Sequence, residues 1–342
     1  MSLPLKASRI AAEAGKGAAD PDRFLGLIGG KLLATEDLFR RHLDSDVPFI
    51  SDAGEYMFRG GGKRMRPALL LLSARLLGHD SDEEVTYAAV VELLHTATLI
   101  HDDIIDDSTL RRGQATVHNV WGNSRTVLLG DWIYTTSMKL ALEHDRLEVI
   151  RRLCEATLRM TEGELLVLER LGAPDVSVEE YFDIIDRKTA QLFAAACSIP
   201  ALIPPSHDHE RLALESYGRA LGLCFQLVDD LLDFTGSEDD LGKPVLSDLK
   251  GGKLTLPLIL LLPRLDAKRR RLIEQVLEDR AFDRVEPSDI LAVVDSEGTL
   301  EEVGELAVTQ ADRAREALDA FPASLVREAL EFAPEFVLSR RA

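Results

Sequence analysis

The sequence predicts an all-α fold in a single helical domain. Three observations carry this: apolar residues recur at spacings of three and four along nearly the whole chain, strand-like alternation is almost absent, and no low-complexity linker or repeat array divides it. With 342 residues, 46% of them hydrophobic, the chain is long enough to bury a sizeable core. Residues 1–21, rich in alanine, glycine and charge, are expected to be disordered, which leaves 22–342 as the helical domain.

In order, an amphipathic helix is expected from Asp22 to Leu43, interrupted by Gly29-Gly30, and a short one from Asp52 to Phe58. A glycine loop carrying four cations follows, Arg59-Gly60-Gly61-Gly62-Lys63-Arg64-Met65-Arg66-Pro67, with Pro67 in the first turn of the next helix. Freed backbone N–H groups beside Lys and Arg at a helix start suit an anion the size of a diphosphate. The loop is not a P-loop, since the first glycine, the Ser/Thr after the lysine and a preceding strand are all missing. Taken alone, such loops are more often solvated turns.

A long central helix spans Glu83 to Asp107, and an Arg111-Arg112-Gly113 turn leads to helices from Asn123 to Leu142 and from Leu147 to Leu171. Ser177 and Glu180 form a capping box that opens a helix running to Cys197 and stopped by Pro200. Another runs from Arg211 to Phe234, a loop from Gly236 to Lys253, and four or so shorter helices from Leu254 to Leu338.

Composition narrows the function. A net charge of −19 and a pI near 4.9 argue against nucleic acid and against a general attraction to anionic membranes. Cys154, Cys197 and Cys224 lie in apolar helical contexts at no metal-ligand spacing and read as reduced core residues. The longest apolar run, around Leu254 to Leu262, is interrupted by Pro257, so no membrane span is expected; with no secretory signal pattern either, the expected location is cytoplasmic.

The chemistry gathers where two apolar runs end. Asp102, Asp103 and Asp106 close the central helix, with Asp102 and Asp106 one turn apart on one face, and Asp229, Asp230 and Asp233 repeat the spacing. Like charges so placed weaken a helix, by a few tenths of a kcal/mol when solvated and by more where water is excluded. Hard carboxylate oxygens in such clusters suit Mg²⁺, which keeps several waters and is completed by substrate phosphates. A solvated acidic helix end is the plain alternative, but these aspartates terminate apolar helices instead of lining polar faces.

Taken together, Gly61-Gly62-Lys63-Arg64-Met65-Arg66-Pro67, His95 ahead of Asp102-Asp103-Ile104-Ile105-Asp106, Leu110-Arg111-Arg112-Gly113, Gly130-Asp131, Lys188-Thr189, Gln226 with Asp229-Asp230-Leu231-Leu232-Asp233, and Gly252-Lys253 resemble the trans-polyprenyl diphosphate synthases. The match is collinear over nearly the whole chain after Asp22. The resemblance implies an isoprenoid-synthase helical bundle with a deep central cavity, and a homodimer. Three Mg²⁺ ions, replaceable by Mn²⁺, would sit on Asp102, Asp103 and Asp106 and on Asp229 with Asp230 and Asp233. Arg111, Lys188, Lys243 and Lys253 would complete the allylic diphosphate site, and Gly62, Lys63, Arg66, His95 and Arg112 would hold isopentenyl diphosphate. The implied reaction ionises the allylic C–O bond, lets the double bond of isopentenyl diphosphate attack, and loses a proton to the released diphosphate, with Thr189 and Gln226 aiming dipoles at the cation. Arg340-Arg341 resembles a basic tail that closes over the diphosphates.

Product length has its own signal. Ala97 and Thr98 lie a turn and more below Asp102, where short-chain members of the family tend to carry an aromatic ring. Small residues there let the tail pass toward Leu94, Val91 and Val90, with Tyr134, Met138, Ala141 and Leu142 of a facing helix as floor candidates. The expected product is therefore longer than C20, of octaprenyl or solanesyl type, as used in the side chains of respiratory quinones; loose membrane contact at release is compatible with it. The alternatives are a short-chain geranylgeranyl or farnesyl diphosphate synthase, a class I terpene cyclase, a non-catalytic subunit of a heteromeric synthase, and a purely structural helical protein.

Overall fold

The computed structural model describes residues 26–59, 64–204, 207–236 and 244–340. Of the sequence expectations, those for residues 1–21, Gly62, Lys63, Lys243 and Arg341 lie outside these residues. The helices α1 (Gly29–Arg41), α2 (Pro48–Arg59) and α3 (Met65–Leu76) lead to α4 (Glu83–Ile105). A small hairpin, β1 (Leu110–Arg111) and β2 (Gln114–Ala115), precedes α5 (Val117–Trp121), α6 (Asn123–Ala141) and α7 (Leu147–Glu169). Then come α8 (Val178–Ile185), a π-helical turn (Asp186–Ala190), α9 (Gln191–Ser198) and α10 (Asp208–Thr235). The chain ends with α11 (Ser247–Lys250), α12 (Leu256–Leu261), α13 (Ala267–Asp279), α14 (Pro287–Glu297), α15 (Thr299–Ala317) and α16 (Leu325–Leu338).

Every residue from Glu84 to Leu94 is buried, so the first half of α4 has no polar face and must be wrapped on all sides. The helices α1, α3 and α6 pack against it. The two buried acids of this first half are each paired: Glu84 with Lys31 Nζ at 2.6 Å, and Glu92 with Arg64 Nη1 at 2.6 Å. The second core helix, α10, packs against α9, α15 and α16. Two glycines let it approach α9 and the π turn before it backbone to backbone, since a Cβ on Gly218 would lie 2.5 Å from the Phe193 carbonyl oxygen and one on Gly222 2.6 Å from Ala190 Cα. The substitution Gly218→Ala is therefore expected to cost about 3 kcal/mol, at the upper end for an overpacked core, and a lowered denaturant midpoint with unchanged m-value would register it.

The differences from the sequence reading have local causes. Gly29-Gly30 opens α1 instead of interrupting it, and Pro48 starts α2 four residues before Asp52. The capping box of Ser177 and Glu180 is present, but the helix it starts changes to a π turn at Asp186–Ala190 before resuming. Gly163 of α7 lies against that turn, where a Cβ would meet the Lys188 amide nitrogen at 2.7 Å. The loop before Lys253 contains α11, and the C-terminal part holds five helices, among them the 19-residue α15. Cys197 and Cys224 are buried free thiols, whereas Cys154 is exposed on α7 and is not a core residue.

Candidate active site

Each carboxylate that ends α4 meets a cation from elsewhere in the chain. Arg111 holds both oxygens of the buried Asp103, with Nε at 2.8 and 2.9 Å and Nη2 at 2.7 Å. Lys253 Nζ lies 2.8 and 2.9 Å from the two oxygens of Asp106. Lys188 Nζ is 3.9 Å from Asp102 and in ion-pair contact with Glu164 of α7. Burial pushes the Asp102 carboxyl up to about 6, against the pull of Lys188 and with help from Glu164 and Asp106. Burial would lower Lys188, but Asp102 and Glu164 outweigh it and hold its ammonium above the usual lysine value.

Local geometry aims these cations. The β1–β2 register, Leu110 with Ala115 and Arg111 with Gln114, leaves Arg112-Gly113 as a two-residue turn with φ of 52° and 74°, the left-handed pair a tight hairpin needs. A non-glycine residue in that region costs energy, and here it sends two neighbouring arginines to different tasks. Gly252, at φ 84°, turns the chain just before Lys253.

Around His95 gathers a cluster of guanidinium groups, among them that of Arg111. Arg66 stacks over the Phe193 ring at 4.4 Å, and its buried Nε has no hydrogen-bond partner among the described residues. Burial brings its guanidinium down to about 10, opposed by Glu92. Burial, followed by the charges of Arg66, Arg112, Arg111 and Arg64, holds His95 well below the ordinary histidine value, so it is a neutral ring among guanidinium groups. A buried donor left unsatisfied in such company calls for an anion.

On α10, the three aspartates do different things. Asp229 lies 3.5 Å from Arg340, whose guanidinium covers the Phe225 ring at 4.5 Å. Asp230 is buried, accepting from the Tyr181 hydroxyl at 2.6 Å and from Gln226 Nε2 at 2.8 Å, and Gln226 Oε1 accepts from the Thr189 hydroxyl at 2.8 Å. Burial pushes Asp230 up to about 8, with Asp248 and Asp229 adding to it and the two hydrogen bonds opposing. Asp233 accepts from Ser247 Oγ at 2.7 Å and from the Ser247 and Asp248 amides at 3.2 Å each, so it ties α10 to the loop that carries Lys253. Among the described residues no three His, Cys, Asp or Glu side chains form a ready-made metal cage. Such a donor set fits Mg²⁺ arriving with a phosphate-bearing substrate, because that ion takes one or two carboxylates plus phosphate oxygens and water.

Along α4 below Asp102, Ala97 and Leu94 are buried, and the Thr98 hydroxyl donates to the His95 carbonyl oxygen at 2.8 Å. Met138 of α6 is half-buried against the core and Ala141 is fully buried, whereas Tyr134 and Leu142 are 39% and 56% exposed and turn away from it. Tyr181 and Glu164 lie within no charge motif, so the sequence pattern does not mark either of them.

Fold and site together define a helical protein that gathers carboxylates and guanidinium groups at the ends of its core helices. Residues 47–293 match the family described as polyprenyl synthetase. The chain is 39% identical over 289 residues to the octaprenyl diphosphate synthase of Escherichia coli (strain K12), covering 84% of this chain and 89% of that one. Its fold superposes with a TM-score of 0.91 on the polyprenyl synthase from Caulobacter crescentus CB15 complexed with calcium and isoprenyl diphosphate, at 37% identity over 96% of this chain and all of the other. The decaprenyl diphosphate synthase from Rhodobacter capsulatus gives a TM-score of 0.89 at 34% identity, covering 94% and 100% of the two chains. The chain belongs to the polyprenyl synthetase family and is a prenyltransferase.

Proposed function

We propose that the protein condenses isopentenyl diphosphate head-to-tail with an allylic diphosphate such as farnesyl diphosphate, making an all-trans polyprenyl diphosphate longer than C20. The observation that carries this is the pairing of two unlike anion sites. One is a set of aspartates already shadowed by Lys188, Lys253 and Arg111, and the other is a basic cluster of half-buried Arg66, exposed Arg112 and neutral His95, in which the buried Arg66 Nε has no hydrogen-bond partner among the described residues. A cyclase would have no use for the second site.

Asp102, Asp103, Asp106 and Asp229 would hold Mg²⁺, with Asp230 and Asp233 behind them. When bound, Mg²⁺ supplies neutralisation of the carboxylates and Lewis-acid assistance to the departing diphosphate. Lys188, Lys253 and Arg111 are then free to turn from their aspartates to the allylic diphosphate, where they stabilise charge as the C–O bond breaks. Arg66, Arg112 and His95 hold the unreactive diphosphate, so the double bond of isopentenyl diphosphate faces the carbocation. A C–C bond forms, and the proton lost from the adduct passes to the released diphosphate. Apolar walls from Ala97 and Leu94 downward keep water from the cation.

The test is to incubate the protein with labelled isopentenyl diphosphate and farnesyl diphosphate, with and without Mg²⁺, and separate the products by length. A Mg²⁺-dependent ladder ending above C20 is expected; products stopping at C20 would keep the reaction and reject the length, and no elongation would reject both. Because the Asp102 carboxyl titrates near 6, metal binding must displace its proton at lower pH. The half-saturating Mg²⁺ concentration is therefore expected to be flat above pH 7 and to rise through pH 6, by up to about tenfold per pH unit, as read from Mg²⁺-titrated initial rates.

The homodimer and the cytoplasmic setting belong to the same proposal. On α7, Leu147, Cys154, Leu158, Leu165 and Leu168 are exposed at spacings of seven, four, seven and three, one stripe of a helix that suits a partner helix. Among the described residues no helix is long and apolar enough to cross a membrane.

A further inference from the structure

Lys188 is held by two carboxylates from two helices, and they hold it unequally. Asp102 of α4 is 3.9 Å from its ammonium, longer than a charge-assisted hydrogen bond, whereas Glu164 of α7 is in direct ion-pair contact. Glu164 is 9% exposed, and apart from Lys188 neither of its carboxylate oxygens has a hydrogen-bond partner among the described residues. The backbone is arranged to make this contact. Gly163, the neighbour of Glu164, lies against the π turn where a Cβ would meet the Lys188 amide nitrogen at 2.7 Å, and on its other side Glu162 takes Arg187 at 2.7 Å. One glycine flanked by two acids thus receives two successive cations of the turn. A π turn inside a helix often marks a functional site, and this one is pinned from α7 at both of its basic residues.

A buried carboxylate stripped of its cation partner is costly, so Lys188 cannot leave Glu164 as freely as it leaves Asp102. An ammonium has three donors, enough to keep Glu164 and still reach a phosphate oxygen. We propose that Glu164 is the positioning residue for Lys188: it tethers the ammonium through turnover, so that Lys188 gives up Asp102 but meets the allylic diphosphate from a fixed point. Without the tether, the flexible lysine stem lets the ammonium close on Asp102, where it covers a carboxylate the reaction needs and leaves the departing diphosphate with one donor fewer. The inference rests on the prenyl-transfer reading above and adds to it a residue outside both aspartate clusters.

The substitution Glu164→Gln keeps the shape of the side chain and removes its charge. We expect kcat/KM for farnesyl diphosphate to fall about tenfold, the scale of one hydrogen bond to a charged group, with KM for isopentenyl diphosphate changed by less than about twofold. Lys188→Met removes the other half of the pair. It strands the buried Glu164, so its thermal midpoint is expected to drop, and Glu164→Gln added to it should raise the midpoint again while costing no further turnover. An unchanged kcat/KM for farnesyl diphosphate, an equal loss toward both diphosphates, or losses that multiply in the double variant would overturn the proposal, the last because Glu164 would then act on metal or substrate directly. Should Glu164→Gln not fold, Glu164→Asp keeps the charge on a side chain one methylene shorter. A loss confined to the allylic substrate then supports the tether, and no loss, or a loss shared by both substrates, rejects it. If the wild type makes no product, the prenyl-transfer reading falls by itself, whereas the melting of Lys188→Met and of its double variant still decides whether the tether exists.

Discussion

Replacing Asp102 with alanine is expected to lower turnover by roughly a thousandfold or more, the scale of losing a main electrostatic stabiliser of the departing group, and to leave the unfolding midpoint unchanged or raised. The two halves of this expectation have separate causes. The Asp102 carboxylate is costly to the folded chain: burial pushes it up to about 6, and the Lys188 ammonium stands 3.9 Å away. Deleting it strands no cation, because Lys188 keeps Glu164. Asp103 is a poorer probe, since its loss would leave Arg111 without the bidentate partner that seats the hairpin. Labelled substrate turnover read beside a thermal melt decides the matter. Turnover retained by a folded variant would reject the site, and loss of fold together with activity would mean that Asp102 holds the structure.

The acid clusters and their helices were legible in the sequence because both are local. A carboxylate at i and i+4 after an apolar run declares its own face, and the positions of Arg66, His95 and Arg112 relative to it follow from chain order. What was not legible depends on segments meeting across the fold. Tyr181 and Asp230 are 49 residues apart, and nothing in the pattern around Tyr181 marks it as other than core. The same holds for Lys188 and Glu164, which meet only because Gly163 lets α7 press against a π turn that no periodicity announces. Local reasoning also expected the aspartates to repel until a metal came. The chain instead brings Arg111, Lys188, Lys253 and Arg340 to them from four separate stretches, so the acid clusters are balanced by cations of the chain itself. Tyr134 and Leu142 are exposed for a related reason: the rotation of α6 turns Tyr134 outward, and Leu142 lies in the turn that follows α6.

Product length gives the second large expected effect. Ala97 stands five residues before Asp102, about 7.5 Å lower along α4 at 1.5 Å per residue, and is 2% exposed with only a methyl group as side chain. In Ala97→Phe a ring replaces that methyl in the path of the growing tail, so the ladder is expected to end at or below C20 while the first additions proceed within a few-fold of the wild-type rate. The diphosphate-handling groups are untouched, which is why length should change without loss of chemistry. Leu94→Phe places the same ring three residues, about 4.5 Å, further down the helix, and its ladder should stop later by about one isoprene unit. This ordering of the two end points is the discriminating result, since a general loss of stability would shorten neither ladder in register with the helix. If both variants fold and both ladders end where the wild type does, the tail does not run along this face of α4, and the wall at Met138 becomes the place to look. If Ala97→Phe melts early with no turnover, Ala97 faces packed protein, and the small residue there serves the core and not the product.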